Sequence, residues 1–277
     1  MSPRVTTVVV TRDRRADLER SLPHHTPPVV LVDNASTDGS VAMVRERFPH
    51  VEVIALDHNE AAVARNRGVR AAATPYVAFA DDDSWWAPGA LDRAADLLDA
   101  HPRLGLVAAR VLVGPADRLD PTSAAMRRSP LPRPAGSVGP PVRGFIACGS
   151  VVRRAAFLEA GGFDPVVRFP GEEARLAADL AAYGWEVAYA DDVVAHHHPS
   201  STRPPSRARV ASEARSAALT ALMRRPWPVV ARTWVGLGRT PAGRRGLLAA
   251  LRSVPAGLAA RRRLPARVEA ELRLLER

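Results

Sequence analysis

A chain of 277 residues is long enough for one large or two small domains with a buried core, and 47% hydrophobic with 25% charged residues excludes a disordered polymer. The single Cys148 excludes an internal disulfide framework and fits a reducing, cytoplasmic setting. The net charge of +10 comes entirely from arginine and is uneven: residues 201–277 hold 17 Arg against 4 Glu, or +13, while the rest holds 22 Arg and 25 acidic groups, about −3. Such asymmetry argues for an appended segment that meets an anionic surface, and against a nucleic-acid-binding core. No charged-then-apolar leader precedes the first strand pattern, and no apolar run reaches the ~18 residues that span a bilayer.

Val5–Thr11 is a β-branched run that predicts a central strand. A loop, Arg12–Arg14, and a helix near Asp13–Leu22 follow. Val29–Val32 is a second buried strand, ending in Asp33-Asn34-Ala35-Ser36-Thr37-Asp38-Gly39-Ser40 before an amphipathic helix, Val41–Phe48. Short polar side chains of this kind suit turns and N-caps, and an Asp at a strand tip equally suits a base or a ribose hydroxyl. Val51–Ala55 predicts a third strand, and His58–Gly68 a helix carrying Arg65 and Asn66.

Tyr76–Ala80 then runs as a buried strand straight into Asp81-Asp82-Asp83, with Trp85-Trp86 behind. Three carboxylates this close repel unless a cation or a donor-rich ligand sits among them. The alternative is a solvated turn with Asp as a helix N-cap. Pro88–Ala100 reads as a helix and Leu104–Val113 as a strand. The strand–helix alternation over 5–110 predicts an α/β fold, a doubly wound, mostly parallel sheet flanked by helices, with ligands at its carboxyl edge. Neither GxGxxG nor a P-loop occurs, so bound phosphates would depend on a cation at Asp81–Asp83.

Residues 114–142 break the pattern with seven prolines and read as a long loop. Gly144–Val152 predicts a strand, and Ala155–Ala160 a short helix closed by Gly161-Gly162. After Phe163-Asp164-Pro165, Gly171-Glu172-Glu173 opens a helix over Ala174–Tyr183. Trp185–Tyr189 is a late strand before His196-His197-His198. Glu172-Glu173 read by themselves as first-turn acids favoured by the helix dipole, and the histidines as a surface tract with one side chain inward. The Trp pair reads as packing under the Asp loop more than as a sugar platform, and Cys148 as a small buried residue. Beyond a Pro/Ser/Arg joint, the tail shows helical runs at 208–223, 229–237, 244–260 and 265–275. Arg beside Trp and Leu on short helices predicts an interfacial membrane contact, the competing arrangement being a helical cap packed on the domain.

The ordered set Val8-Val9-Val10-Thr11, Val32-Asp33 through Ser40, Ala64-Arg65-Asn66-Arg67-Gly68, Phe79-Ala80-Asp81-Asp82-Asp83, Gly161-Gly162-Phe163-Asp164, Gly171-Glu172-Glu173 and Val193-Val194-Ala195-His196-His197 resembles glycosyltransferase family 2, inverting and non-processive enzymes with the GT-A fold. The resemblance covers about residues 4–200. It implies that 1–113 binds a nucleotide-diphospho-sugar and 114–200 the acceptor, with 201–277 an Arg-rich helical extension. Thr11, Asp33 and Asn34 fall at the nucleoside, and Arg65 near the nucleotide. Asp81, Asp82 and Asp83 overlie the DxD motif, whose last carboxylate holds Mn²⁺ or Mg²⁺ and whose first reaches the ribose or the metal. His196 falls where some members place a further metal ligand, and Glu173 where the catalytic base stands. The expected partners are a nucleotide-sugar donor, a glycan or glycolipid acceptor and an anionic membrane, at the inner face of the plasma membrane.

Three positions depart from the pattern: Glu173 replaces Asp, Arg175 stands where a second acid is common, and Glu60 stands where Gly is common. The QxxRW signature of processive synthases is absent, which implies transfer of a single sugar. Two other classes stay open. A nucleotidyltransferase also places carboxylates at such a sheet edge, although Thr11–Arg14 has no glycine. A catalytically silent nucleotide-sugar-binding module would explain Glu173 and Arg175.

Overall fold

The computed structural model describes residues 3–199 and 206–276. Among these, nine strands form one curled sheet: β1 (Val5–Thr11), β2 (Val29–Asp33), β3 (Val51–Ala55), β4 (Tyr76–Asp81), β5 (Ser84–Trp86), β6 (Leu104–Val113), β7 (Arg118–Leu119), β8 (Ser150–Arg153) and β9 (Glu186–His197). Their order is β3-β2-β1-β4-β8-β6-β9-β5, with β7 beside β6. β1 to β4 run parallel, as do β6 and β9, while β8 is inserted antiparallel between β4 and β6. Register decides what meets at the carboxyl edge. Thr11 lies opposite Asp33, and Val10 opposite Asp81, so three chain segments deliver their last residues to one place.

The predicted doubly wound α/β sheet is thus present, with helices on both faces. α1 (Arg15–Ser21) and α2 (Ser40–Arg47) cover one face, where Val9, Leu18, Leu31 and Met43 are buried together. α3 (Ala64–Ala71), α6 (Arg154–Glu159) and α7 (Glu172–Ala182) cover the other, packing on Val8, Val77 and Phe79. The period of two along each strand separates these sets: Val8 faces one layer and Val9 the other. α4 (Ala90–Ala100) closes the far half of the sheet over Val107 and Val151. Phe79, Phe157 and Phe163 pack with ring centroids 5.6–5.7 Å apart and seat the Gly161–Asp164 turn on β4. Truncating such a buried ring costs about 3–5 kcal/mol.

Several elements differ from expectation. The helix over 58–68 is only α3, preceded by a 3₁₀ turn at Ala61–Val63, because Asn34 ties the preceding loop down. The 144–152 strand shrinks to β8 after a 3₁₀ turn at Ala147–Gly149. The long loop contains β7 and α5 (Pro121–Arg127), whose N-cap Asp120 accepts from Thr122 N. β9 runs through the histidine tract to His197, because β5 gives its second half a partner.

The tail forms α8 (Ser206–Arg224), α9 (Trp227–Gly238), α10 (Pro241–Leu251), α11 (Val254–Ala259) and α12 (Ala266–Leu275). The single run expected over 244–260 is split, with Ser253 the N-cap of a helix that has Pro255 in its first turn. The joint expected at 201–205 lies outside the described residues. The tail is packed on the domain. Leu219, Leu222 and Met223 bury Val167, and Leu264 and Val268 bury Ala178 and Ala181 of α7. Arg224 pairs with Asp179 at 2.7 Å, and Arg143 with Glu271 at 2.6 Å.

Candidate active site

The Asp81–Asp83 turn leaves β4 at the sheet's carboxyl edge, where Ser84 Oγ accepts from Asp81 N at 2.8 Å and tightens the bend into β5. Each carboxylate has a different neighbour. Asp81 Oδ1 accepts from Arg65 Nη2 at 2.5 Å. Asp82 Oδ2 accepts from Thr11 Oγ1 at 2.9 Å. Asp83 Oδ1 lies 3.2 Å from His197 Nε2. Burial, reinforced by Asp81 and Asp83 and opposed by Thr11, pushes the Asp82 carboxyl up to about 8. Burial and two negative neighbours at close range therefore favour its neutral form.

Arg65 reaches the turn from α3 and is fully enclosed. Burial works against its charge, but Asp81, Glu172 and Glu173 outweigh it and hold the guanidinium above its ordinary value. Arg65 is therefore the electrostatic link between the Asp turn and the start of α7. Next to it, Asn66 grips the Phe163 backbone at both ends, donating to its carbonyl at 2.9 Å and accepting from its N–H at 3.0 Å. Gly162, at φ +68°, makes that approach feasible: a Cβ there would stand 2.7 Å from Asn66 Oδ1.

Glu172 and Glu173 begin α7, with Gly171 at φ +113° as the N-cap. Glu172 is 1% exposed, and neither carboxylate oxygen has a hydrogen-bond partner. Burial first, then Glu173, pushes it up to about 8 against the pull of Arg65. Glu173 is half-buried and keeps accessible surface. Burial raises its carboxyl too, with Arg65 opposing. Of this pair, Glu173 is the one a ligand can reach.

The other expected residues divide. Asp33 is buried, accepts from Ser36 N through Oδ2, and has Oδ1 unpartnered at the sheet edge. Asn34 is used otherwise: its amide donates to Ala61 O at 3.0 Å and accepts from Glu60 N at 2.7 Å. It shapes the loop through both ends of its amide. His196 departs from its expected place at the metal. It stacks on Trp85 at 5.8 Å and lies 3.1 Å from Asp117, whereas His197 faces Asp83. Strand pairing is the reason: Trp85 registers with His196 and Ser84 with His197, so successive side chains take opposite faces.

Trp85 sits between His24 at 4.6 Å and His196, with His198 also at 4.6 Å, while Trp86 is buried. This ring stack borders a cavity of about 330 Å³ that also touches Asp83 and Asp17. Sequence reasoning passed over His24, and only its packing reveals it. Arg175, where a second acid is common, bonds Asp164 at 2.9 Å and also pairs with Asp179, fastening the Gly161–Asp164 turn to α7. Glu60 pairs with Arg67 at 2.7 Å. Cys148 is buried and its thiol is pushed well above the ordinary range by that burial.

Two carboxylates with an imidazole beside them, Asp81, Asp83 and His197, are a hard-oxygen donor set with one nitrogen, and they suit Mn²⁺ or Mg²⁺. Among the described residues no three such groups already stand in ligating positions together, since Asp81 is turned to Arg65 and Asp83 to His197.

Residues 15–161 match the family description "Glycosyl transferase family 2". The N-acetylglucosaminyl-diphospho-decaprenol L-rhamnosyltransferase of Mycobacterium tuberculosis is 27% identical over 216 residues, which is 63% of this chain and 67% of that protein. Among solved structures, the mannosyltransferase PcManGT from Pyrobaculum calidifontis, in complex with GDP-Man and Mn²⁺, superposes with a TM-score of 0.59 at 22% identity, over 100% of this chain and 76% of its own. S. aureus TarS 1–349, in complex with UDP-GlcNAc, gives 0.62 at 17% identity, over 97% and 84%. At such identities the two structures speak for the fold, which is that of GT-A glycosyltransferases.

Proposed function

The chain belongs to glycosyl transferase family 2, and we propose that it is a metal-dependent, inverting enzyme moving one sugar from a nucleotide-diphospho-sugar to a hydroxyl of a lipid-linked glycan in cell-wall synthesis. The observation that carries this reading is Arg65, buried, bonded to Asp81 Oδ1 at 2.5 Å and held charged by Asp81, Glu172 and Glu173. It joins a phosphate-side cluster to a carboxylate able to accept a proton. The acceptor class follows the relative whose name specifies a diphospho-decaprenol.

In this mechanism Asp33 Oδ1, buried and unpartnered, accepts from the ribose or base of the donor, with Thr11 beside it. Asp81 and Asp83, with His197 adjacent, would hold a divalent cation, whose charge would offset the one that grows on the departing diphosphate. Glu173 takes the proton of the acceptor hydroxyl. The hydroxyl oxygen forms its bond to the anomeric carbon as the bond to the diphosphate oxygen breaks, and the electron pair leaves with the nucleotide diphosphate. One displacement inverts the anomeric centre. Glu172, pushed up by burial and by Glu173, is the buried neighbour that supports Glu173. Residues 1–113 serve the donor in this scheme and 114–200 the acceptor.

The test is release of nucleotide diphosphate from a panel of nucleotide-sugars, with Mn²⁺ and with chelator, and NMR of the product anomer. Turnover of at least one donor that stops with chelator is expected. No binding or turnover of any donor with Mn²⁺ refutes the proposal.

The tail supplies a membrane contact in the same reading. Trp227, Val235, Leu248, Leu251, Leu258 and Leu275 are each more than 40% exposed, next to Arg232, Arg239, Arg244, Arg245 and Arg252. Apolar side chains among arginines suit an anionic bilayer surface. No helix of the described residues is long and apolar enough to cross a membrane. In liposome flotation, Leu248→Glu with Leu251→Glu is expected to reduce partitioning to anionic vesicles severalfold. Unchanged partitioning removes the membrane assignment.

A further inference from the structure

A second cavity, of about 460 Å³, lies between α7, the Gly161–Asp164 turn and the segment joining α11 to α12. The mechanism above makes no use of it. Five arginines and three carboxylates border it, and they are unequally engaged. Arg175 and Arg224 are paired with Asp164 and Asp179. Glu159 accepts from Trp185 Nε1. The remaining three, Arg261, Arg262 and Arg263, are consecutive and form no ion pair with any described residue. Arg261 lies 4.1 Å over the Trp227 ring and donates to Arg225 O, and Arg262 donates to the Tyr183 hydroxyl at 2.7 Å.

Two donors at this cavity have no acceptor. Arg175 is 3% exposed, yet its Nε has no partner, and neither has Nη1 of Arg261. Buried N–H groups almost always find acceptors, so two such groups on residues that line one cavity point to a missing acceptor-rich group. The electrostatics agree. Burial, then Arg224, drives Arg175 down to about 10, and burial with Arg263 lowers Arg261. A net positive cavity with spare guanidinium donors matches the planar, bidentate recognition of phosphate. Its volume lies within the range of small-ligand sites.

The geometry points to this cavity as a site for a phosphate or diphosphate group, held by Arg175, Arg261, Arg262 and Arg263. Its place suits an acceptor, a role that rests on the glycosyltransferase reading. Arg175 follows Glu172 by three residues on α7, about 4.5 Å of helix rise. The Gly161–Asp164 turn is a wall of the cavity and, through Asn66, is fastened to the helix that carries Arg65. The tail thereby completes a ligand site of the catalytic domain. The phosphate is that of a lipid-linked acceptor or of free pyrophosphate, and a phospholipid headgroup is the competing occupant.

Calorimetric titration of the full chain separates these sources, with chelator present to silence cation-dependent binding at the Asp turn. The probes are inorganic pyrophosphate, farnesyl diphosphate and phosphatidylglycerol vesicles, each against the parent and Arg262→Ala/Arg263→Ala. Pyrophosphate and farnesyl diphosphate are expected to bind the parent and to weaken about 10-fold or more in the variant. Arg263→Ala alone, at an exposed position, serves if the double variant does not fold, with a smaller loss of the same kind expected. Equal affinity in parent and variant overturns the site. So does a response to vesicles alone, which assigns these arginines to a membrane-facing surface. Pyrophosphate binding that appears only with Mn²⁺ and ignores the variant also overturns it. Hydrolysis of nucleotide-sugar by the parent reports on the glycosyltransferase reading separately, so the two failures cannot be confused.

Discussion

The molecule has two acidic clusters on opposite sides of Arg65, and their chemistry differs because their surroundings do. At Asp81–Asp83 every carboxylate faces a donor: Arg65, Thr11 or His197. At the start of α7, Glu172 faces none, and Glu173 is only half-buried. The first cluster is arranged to gather positive charge, and the second keeps one carboxyl neutral while its neighbour remains free to accept a proton. Adjacent residues on a helix diverge by about 100°, so the two glutamates cannot share a role. In the proposed mechanism, position within the fold, more than residue type, assigns one cluster to a cation and the other to proton transfer.

The sharpest way to break this contrast is Glu173→Gln. It keeps shape and removes proton acceptance, so turnover should fall about 10²–10⁴-fold with donor affinity nearly unchanged. Steady-state kinetics decide it: if Glu172→Gln is the more damaging change, the roles are reversed across the pair.

Cation dependence is the next largest effect. Asp83→Ala should lower Mn²⁺-dependent affinity for nucleotide diphosphate about 10–100-fold, and His197→Ala about 10-fold, in calorimetric titration. His196→Ala, on the Trp85 face, should leave it within about 2-fold. Were His196→Ala the more harmful histidine change, the strand pairing of β5 with β9 could not be the selector.

A smaller effect sharpens the neutral role of Glu172. Its carboxyl is raised from 4.5 to about 8 in the fold. A raised carboxyl contributes stability that is complete below about pH 4.5 and is lost as pH rises through about 8. The melting temperature should therefore drop by a few degrees between about pH 5 and about pH 9, and Glu172→Gln should flatten that drop. An unchanged slope in the variant would assign the pH dependence to another group, such as Asp82.

The sequence by itself determined the strands at Val5–Thr11, Val29–Val32 and Tyr76–Ala80, the Asp turn and the Glu pair that opens α7. These follow from local causes: β-branched runs, a period of two, and glycine at turns and caps. Tertiary structure decided the partners. Arg65 meets Asp81 across 16 residues, Asn66 meets Phe163 across 97, and Arg143 meets Glu271 across 128. The Asn34 amide closes the Glu60–Ala61 loop, a contact across 26 to 27 residues. His196 and His197 are indistinguishable as a tract, and only pairing with β5 turns His197 to Asp83. The arginine tail reads as a charged appendage in one dimension, but Leu219, Leu264 and Arg224 pack it onto α7 and its neighbouring turn. Local propensity sets which elements form, whereas side-chain partners depend on contacts between segments far apart in the chain, which no periodicity encodes.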